Sequence, residues 1–353
     1  MTLQPLIGPP QGEPDGSSSS TRYYPPAWNP YELERFLGFA TERHLMFVRR
    51  VVHRLPQPWT ADPVLSSVYI CNVYRELDRG SRTVLKHILE PSAADAASDR
   101  LFNLYLYRAF NLPETYAALG GYRRAAQWDF RAVEATLLAL QATGQKVFSS
   151  AYRSAAATKT PGRGQRTRDW VAYLEKVRDL VPAIWAEIER AMADPDPRRG
   201  MERTHRVLQG PAGIGDFFAF QVLLDMMYEP RILPPHFHED VWSHIGEGAH
   251  EGLALLLAQP LPWGSVAEKL ALAELREHQG VWMKRAGRLL LGPPLTLANC
   301  EFALCEYHKY VEACQGRRPK RTFKVPNLDF SLWDDIPMAF RPIRCPMFVP
   351  VVA

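Results

Sequence analysis

From Leu33 onward, apolar side chains recur every three or four residues. Leu33, Phe36, Leu37, Ala40, Phe47, Val48 and Val51 fall at helical spacing. The run has a clear start: Asn29 suits an N-cap, Pro30 fits the first helical position, and Glu32 completes a capping-box-like pattern. The same periodicity predicts helices over residues 62–89, 97–110, 113–118, 122–143, 168–193, 201–208, 215–227, 246–258, 266–289 and 296–314. Strand-like alternation is nearly absent and no internal repeat is visible. Most of the 30 prolines fall between these segments or at their starts. The fold class read from this pattern is all-α, one compact domain of two helical lobes. Residues 1–27, rich in Pro, Gly and Ser, are expected to be a disordered tail. Residues 28–325 are expected to form the helical domain. Residues 326–353 are expected to form an extended tail, packed on the surface by Phe330, Trp333 and Phe340.

The chain has 353 residues, 46% hydrophobic and 23% charged, enough for a large core. No apolar run is long enough for a membrane span, and no basic-then-apolar leader opens the sequence. Five irregularly spaced cysteines do not make a disulfide scaffold. These features predict an intracellular protein with no membrane partner, in the cytoplasm, or in the nucleus of a eukaryote. The net charge of +4 permits nucleic-acid binding without arguing for it. Two local clusters change that picture. One spans residues 159–168 in a loop-like context; the other is Arg317, Arg318, Lys320 and Arg321. Either would add salt-dependent phosphate contacts, although basic loops are often merely solvated.

The stretch from Gly210 to Asp225 carries the most information. One helical segment ends at Leu208, a turn follows at Gly213-Ile214-Gly215, and a second apolar helix starts with Asp216 in its first turn. This is the layout of a helix-hairpin-helix, which grips one DNA strand by its phosphates. Both glycines are expected to allow positive φ and a close backbone approach. The free N–H groups opening the second helix suit an anion. The bland alternative is a turn that only ends one helix and starts another.

Other chemistries find less support. Cys300, Cys305 and His308 lack a fourth ligand for structural zinc, and His236 with His238 is too little, so no metal site is assigned. There is no Gly-x4-Gly-Lys-Ser/Thr loop, no dinucleotide fingerprint and no nucleophile elbow. Gln221 and Asp225 share a helical face, and Asp225 either pairs with an arginine or points into a pocket. Arg75 with Asp78 or Arg79 suits an internal ion-pair set. Glu306 and Lys309 suit a surface salt bridge.

Several ordered blocks resemble one family. They are Pro58-Trp59-Thr60-x-Asp62-Pro63, Asn72-Val73-Tyr74-Arg75-Glu76-x-Asp78-Arg79, Phe110-Asn111, and Gly144-x-Lys146 leading to Ala151-Tyr152. Next come Gly213-Ile214-Gly215 with Gln221 and Asp225, then Gly246-x-Gly248-Ala249 with Gly252. Last is Leu304-Cys305-Glu306-Tyr307-x-Lys309-Tyr310 ahead of the basic cluster. Together they resemble the helical domain of 5-hydroxymethyl-deoxyuridine DNA kinases and of related phage thymine hypermodification enzymes. The latter include the amino-acid or polyamine:DNA transferases, also called α-glutamyl/putrescinyl thymine pyrophosphorylases. The resemblance covers about residues 30–325 and implies a fold similar to helix-hairpin-helix DNA glycosylases. One block departs from the family pattern: Gly246-Glu247-Gly248-Ala249-His250-Glu251-Gly252 lacks the basic residue expected there, which puts pyrophosphate handling by this block in doubt.

The resemblance implies a transferase acting on a hypermodified thymine in DNA, coupling a small amine or amino acid to the base methylene with release of pyrophosphate. Asp225 or Asp240 would take the amine proton. Arg75, Arg79, Lys309 and Glu306 complete the catalytic candidates, the cations stabilising the leaving group. Trp59, Asn72, Tyr74 and Gln221 are the base-pocket candidates. Gly213, Ile214, Gly215, Lys146, Arg317, Arg318, Lys320 and Arg321 are the DNA-binding candidates. A monovalent ion or magnesium is the cofactor kept open. The partners are DNA carrying a modified thymine, the amine, and a separate kinase or oxygenase. Two alternatives stand beside this reading. One is a non-catalytic module that binds modified DNA; the other is a base-excision glycosylase with Asp240 as its acid.

Overall fold

The computed structural model describes residues 27–149, 163–211, 213–228, 232–317, 322–323 and 328–341. Among them are twelve α-helices and no β-strand, only the isolated bridges Trp28–Leu257 and Val68–Thr322. The all-α expectation holds. The expected N-terminal tail lies almost wholly outside the described residues, as do Arg318, Lys320 and Arg321.

The first helix, α1 (Pro30–Phe47), starts as its cap residues predict. Asn29 Oδ1 accepts from the N–H groups of Tyr31 and Glu32, and Pro30 opens the helix. Glu32 does not close a capping box. Its carboxylate accepts instead from the Tyr307 hydroxyl at 2.7 Å, which ties α1 to the last long helix.

The single helix predicted over residues 62–89 is not formed. Asp62 caps a short α2 (Pro63–Ser67), and the chain then runs without helix through residue 74. A 3-10 turn (Arg75–Leu77), α3 (Arg79–Val84) and a π-helical turn (Leu85–Leu89) follow. The reason is competition for backbone donors. Cys71 N–H goes to Glu306, Asn72 N–H to Asp78, Tyr74 N–H to Asn72, and Arg75 N–H to Asn299. Side-chain acceptors have taken the N–H groups that a helix would have used.

Helices α4 (Ala97–Phe110) and α5 (Pro113–Ala118) match their predicted spans. Helix α6 (Phe130–Ala142) starts later than predicted because Asp129 caps it. Helices α7 (Arg163–Met192) and α8 (Pro197–Leu208) start earlier. The start of α7 at Arg163 puts the second half of the first basic cluster on a helix rather than in a loop. There Arg166 lies over Phe148 and Arg168 pairs with Glu134. Then come α9 (Asp216–Met227), α10 (Glu247–Leu256), α11 (Val266–Arg285) and α12 (Leu297–Cys314).

Buried apolar side chains gather into two cores. One is built from the middle of the chain, between Val84 and Trp242, with Ala298 added from the last long helix. The other joins the two ends, Leu33 to Leu77 with Ile245 to Phe340. Its C-terminal part is firmly held: Trp333 donates to the Leu77 carbonyl at 2.9 Å, and Phe340 packs on Tyr74.

The glycine-rich block at the start of α10 is a packing device. A Cβ at Gly252 would lie 2.2 Å from the Leu304 carbonyl oxygen, and one at Gly248 2.6 Å from Cys305 Sγ. Spaced four apart, they face α12 together and let the helices meet at backbone distance.

Candidate functional site

The 213–215 turn is built differently at its two glycines. Gly213 has φ +92°, the left-handed region where Gly is favoured. Gly215 has φ −91° and ψ 173°, ordinary extended backbone, and serves as the N-cap of α9. The expectation of positive φ at both is corrected to one. Gly215 is instead the open position, since a Cβ there would meet nothing within 4 Å. Ile214 anchors the turn in the first core. Asp216 follows, and its carboxylate accepts from Gln209 at 3.0 Å. The opening of α9 is thus sterically clear but carries a negative side chain.

Where the two cores meet, polar and charged groups from several segments gather around Arg75. Its Nε donates to Gln221 of α9 at 3.0 Å and its Nη1 to Asp78 at 3.2 Å. Its guanidinium lies 5.1 Å from the centroid of the half-buried Phe302 ring on α12. Asn299 accepts from the Arg75 N–H and donates to Glu76 at 3.0 Å. On the same helix Glu306 accepts from Cys71 N–H and pairs with Lys309. The segment before α12 closes the cluster: Glu239 gives its carbonyl to Ala298 N–H at 3.1 Å.

The electrostatics follow from this crowding. Burial, then the charges of Glu76 and Asp240, pushes the Glu239 carboxyl up to about 8. Burial pushes Glu301 up to about 7, against the pull of the Gly246 N–H. Glu76 and Asp78 are also raised by burial, Asp78 despite Arg75. Burial lowers the Lys309 ammonium, but the Glu306 carboxylate outweighs it and the net shift is upward. A carboxyl near neutrality is the kind of group general acid–base work uses, and at Glu301 the charges of Arg75 and Lys309 act as well.

The predicted residues divide. Arg75, Gln221, Glu306 and Lys309 belong to this cluster. Asp225 has no exposed surface and is held in a two-point pair with the equally buried Arg108. Asp240 is held by Arg276 at 2.8 and 2.9 Å and by Leu297 N–H at 2.9 Å. Burial raises Asp240, but these bonds outweigh it and its carboxyl lies below the usual range. A carboxylate so held is a poor proton acceptor. Arg79 faces Glu114 at 2.6 Å instead. Asn72 bonds His44, and Tyr74 donates to the Pro293 carbonyl at 2.5 Å, so both shape the loop before Arg75. Trp59 donates to Leu55 and packs under Arg50. Lys146 is exposed after α6, and the exposed Arg317 pairs with Glu312.

Glu239, Glu301, Asn299 and Phe302 escaped the sequence reading. One signal was available: Asn299, Phe302, Glu306 and Lys309 are spaced three, four and three apart, a single helical face of polar and aromatic residues. Glu239 stands next to Asp240, and burial raises both; Arg276 and the Leu297 N–H hold Asp240 down, whereas among the described residues no cation offsets the rise at Glu239.

These features define an all-helical domain with a buried polar cluster where its two cores meet. The family model for the helical domain of 5-hmdU DNA kinase matches residues 31–318, and the chain belongs to that family. A 5-hmdU DNA kinase of Bacillus phage SP10 is 26% identical over 222 residues, covering 60% of this chain and 34% of the relative. The chain thus spans about a third of that curated relative. No solved structure matches. No described helix is long and apolar enough to cross a membrane.

Proposed function

We propose that this protein acts on a 5-hydroxymethyluracil derivative in DNA and couples an amine to the base methylene. The amine nitrogen attacks the methylene carbon of a pyrophosphorylated base. The carbon–oxygen bond breaks and pyrophosphate leaves with the electron pair. The new ammonium gives its proton to a carboxylate. The observation that carries this reading is the pair Glu239 and Glu301, both raised toward neutrality by burial, with Arg75 and Lys309 acting on Glu301. It moves the proton acceptor from Asp225 or Asp240 to these glutamates, with the two cations facing the departing charge. Reaching the base requires extrusion from the duplex, at a cost of a few kcal/mol. The turn at Gly213–Gly215, with Lys146 and Arg317, would hold the strand. The test is incubation of the protein with DNA bearing pyrophosphorylated hydroxymethyluracil and a panel of amines. Release of pyrophosphate with a matching gain in base mass supports the mechanism; neither product removes it.

A second reading is a module that binds modified DNA for a separate enzyme. It is favoured by the pairing of both expected catalytic aspartates with arginines. Tighter binding to modified than to plain DNA, without turnover, would support it over the transferase.

A further inference from the structure

Beside the Gly213–Gly215 turn lies a cavity of about 450 Å³, lined by Arg206, Asp216, Trp242, Trp263, Glu268 and Lys269 among others. On its wall three potential ligand atoms, from His205 of α8, Asp216 of α9 and His244 ahead of α10, lie within 4.8 Å of one another. We propose that His205, Asp216 and His244 bind one first-row divalent transition-metal ion of the zinc class, with a coordination position open to this cavity.

The hydrogen bonds around His205 fix which nitrogen is available. Its Nε2 lies 2.9 Å from the Asp216 carbonyl oxygen, which can only accept, so Nε2 carries the proton. Nδ1 is then the lone-pair nitrogen, and Gln209 Nε2 faces it at 3.3 Å. A ring nitrogen donated to a backbone carbonyl while the other stays free is the usual support for a metal-bound histidine. The same Gln209 amide nitrogen lies 3.0 Å from Asp216 Oδ1. It bridges two acceptors, as a cation between them would. Turned over, the amide would offer its oxygen instead.

The His205 and His244 rings stack at 5.1 Å between centroids, 24° from parallel. A tetrahedral zinc site with bonds of about 2.0–2.2 Å puts ligand atoms roughly 3.4 Å apart. The triad must therefore draw in slightly, and Asp216 is exposed enough to turn. Two imidazoles and one carboxylate are a ligand set for zinc or iron(II) in sites that keep an open position. The three residues come from separate elements, so no sequence spacing announces them. A divalent ion here would also reverse the charge at the opening of α9, where Asp216 otherwise opposes an approaching phosphate. That consequence rests on the DNA reading, whereas metal binding does not.

The test is titration of tag-free, chelator-stripped full-length protein with Zn²⁺ against a competing chelator dye, and with Co²⁺ followed by visible absorption. Wild type should bind one Zn²⁺ per chain and develop cobalt ligand-field bands. His244→Ala and Asp216→Asn should lose both signals while keeping the helical circular dichroism of wild type. Gln209→Ala should weaken binding by about tenfold, the low end for an outer-shell partner. His236→Ala, an exposed histidine outside the triad, should bind as wild type does. No binding by wild type, or equal binding by wild type and the near-isosteric Asp216→Asn, overturns the proposal. Should His244→Ala fail to fold, Asp216→Asn decides alone.

Discussion

Arg75 and Gln221 stand 146 positions apart in the chain and meet at 3.0 Å across the boundary between the two cores. The contact places a charged group of the chain-ends core directly on α9, the helix that the glycine turn opens. Gln221→Leu removes one acceptor of the guanidinium, leaving Asp78, and should destabilise the fold by about 1–3 kcal/mol. Gln221→Glu keeps an acceptor and should lose little. Urea unfolding of the two variants checks this; equal losses would mean the contact is incidental.

Asp225 and Arg108 are fully buried against each other. Asp225→Asn leaves the Arg108 charge without its counter-ion and should cost about 3–5 kcal/mol. Replacing both partners by Leu and Met should recover most of that loss. A well-folded Asp225→Asn variant of wild-type stability that has lost coupling activity would instead return Asp225 to the chemistry.

Glu239 gives a signed pH dependence. Its carboxyl is raised from 4.5 to about 8 in the folded protein. Between those values the folded state holds a proton that the unfolded chain releases. Stability therefore falls as pH rises through this window, and the full contribution is present only below it. Glu239→Gln should flatten that decline. Urea midpoints measured across the window test the point, and an unchanged slope would show that Glu239 is not perturbed. If Glu239 is the proton acceptor, the coupling rate should rise as pH approaches about 8.

Gly252 meets α12 at backbone distance. Gly252→Ala would push a methyl group into the Leu304 carbonyl and should cost about 1–3 kcal/mol, the range for overpacking. Gly248→Ala meets the Cys305 sulfur, a side-chain atom, and should cost less. Thermal melts of the pair would show the order.

The two glycines of the turn should separate stability from DNA affinity. Gly213→Ala forces a side chain into φ +92° and should destabilise by roughly 1 kcal/mol. Gly215→Ala fits its extended backbone and open surroundings, so melting should be unchanged. On the proposed DNA reading its methyl group would stand in the path of a phosphate, and binding to a DNA duplex should weaken. Unaltered binding by Gly215→Ala would take the phosphate grip away from this turn.

Much of the helical architecture is legible along the chain because local signals suffice for it. Asn29 caps α1 through its own side chain where the sequence places it; Asp129 and Asp196 cap α6 and α8 the same way, but at starts that apolar spacing alone misplaces. Apolar spacing marks α4 and α5 to the residue. The Asp62-to-Leu89 region is the instructive failure. Its periodicity is helical, yet Glu306 and Asn299, more than 200 residues away, take the backbone donors of Cys71 and Arg75. No local pattern reports a competitor that arrives through folding.

The same division holds for the site. By itself the sequence determined the all-α class, the Asn29 cap, the glycine turn and the order of blocks that marks the family. These depend on neighbours within a few positions. Tertiary structure decided which acids are consumed and which remain. Asp225 and Asp240 are indistinguishable from Glu239 and Glu301 as letters. Arg108 and Arg276 neutralise the first two, whereas crowding and burial leave the other two near neutrality. Proton affinity depends on desolvation and on charges brought from distant segments, and the fold alone sets both.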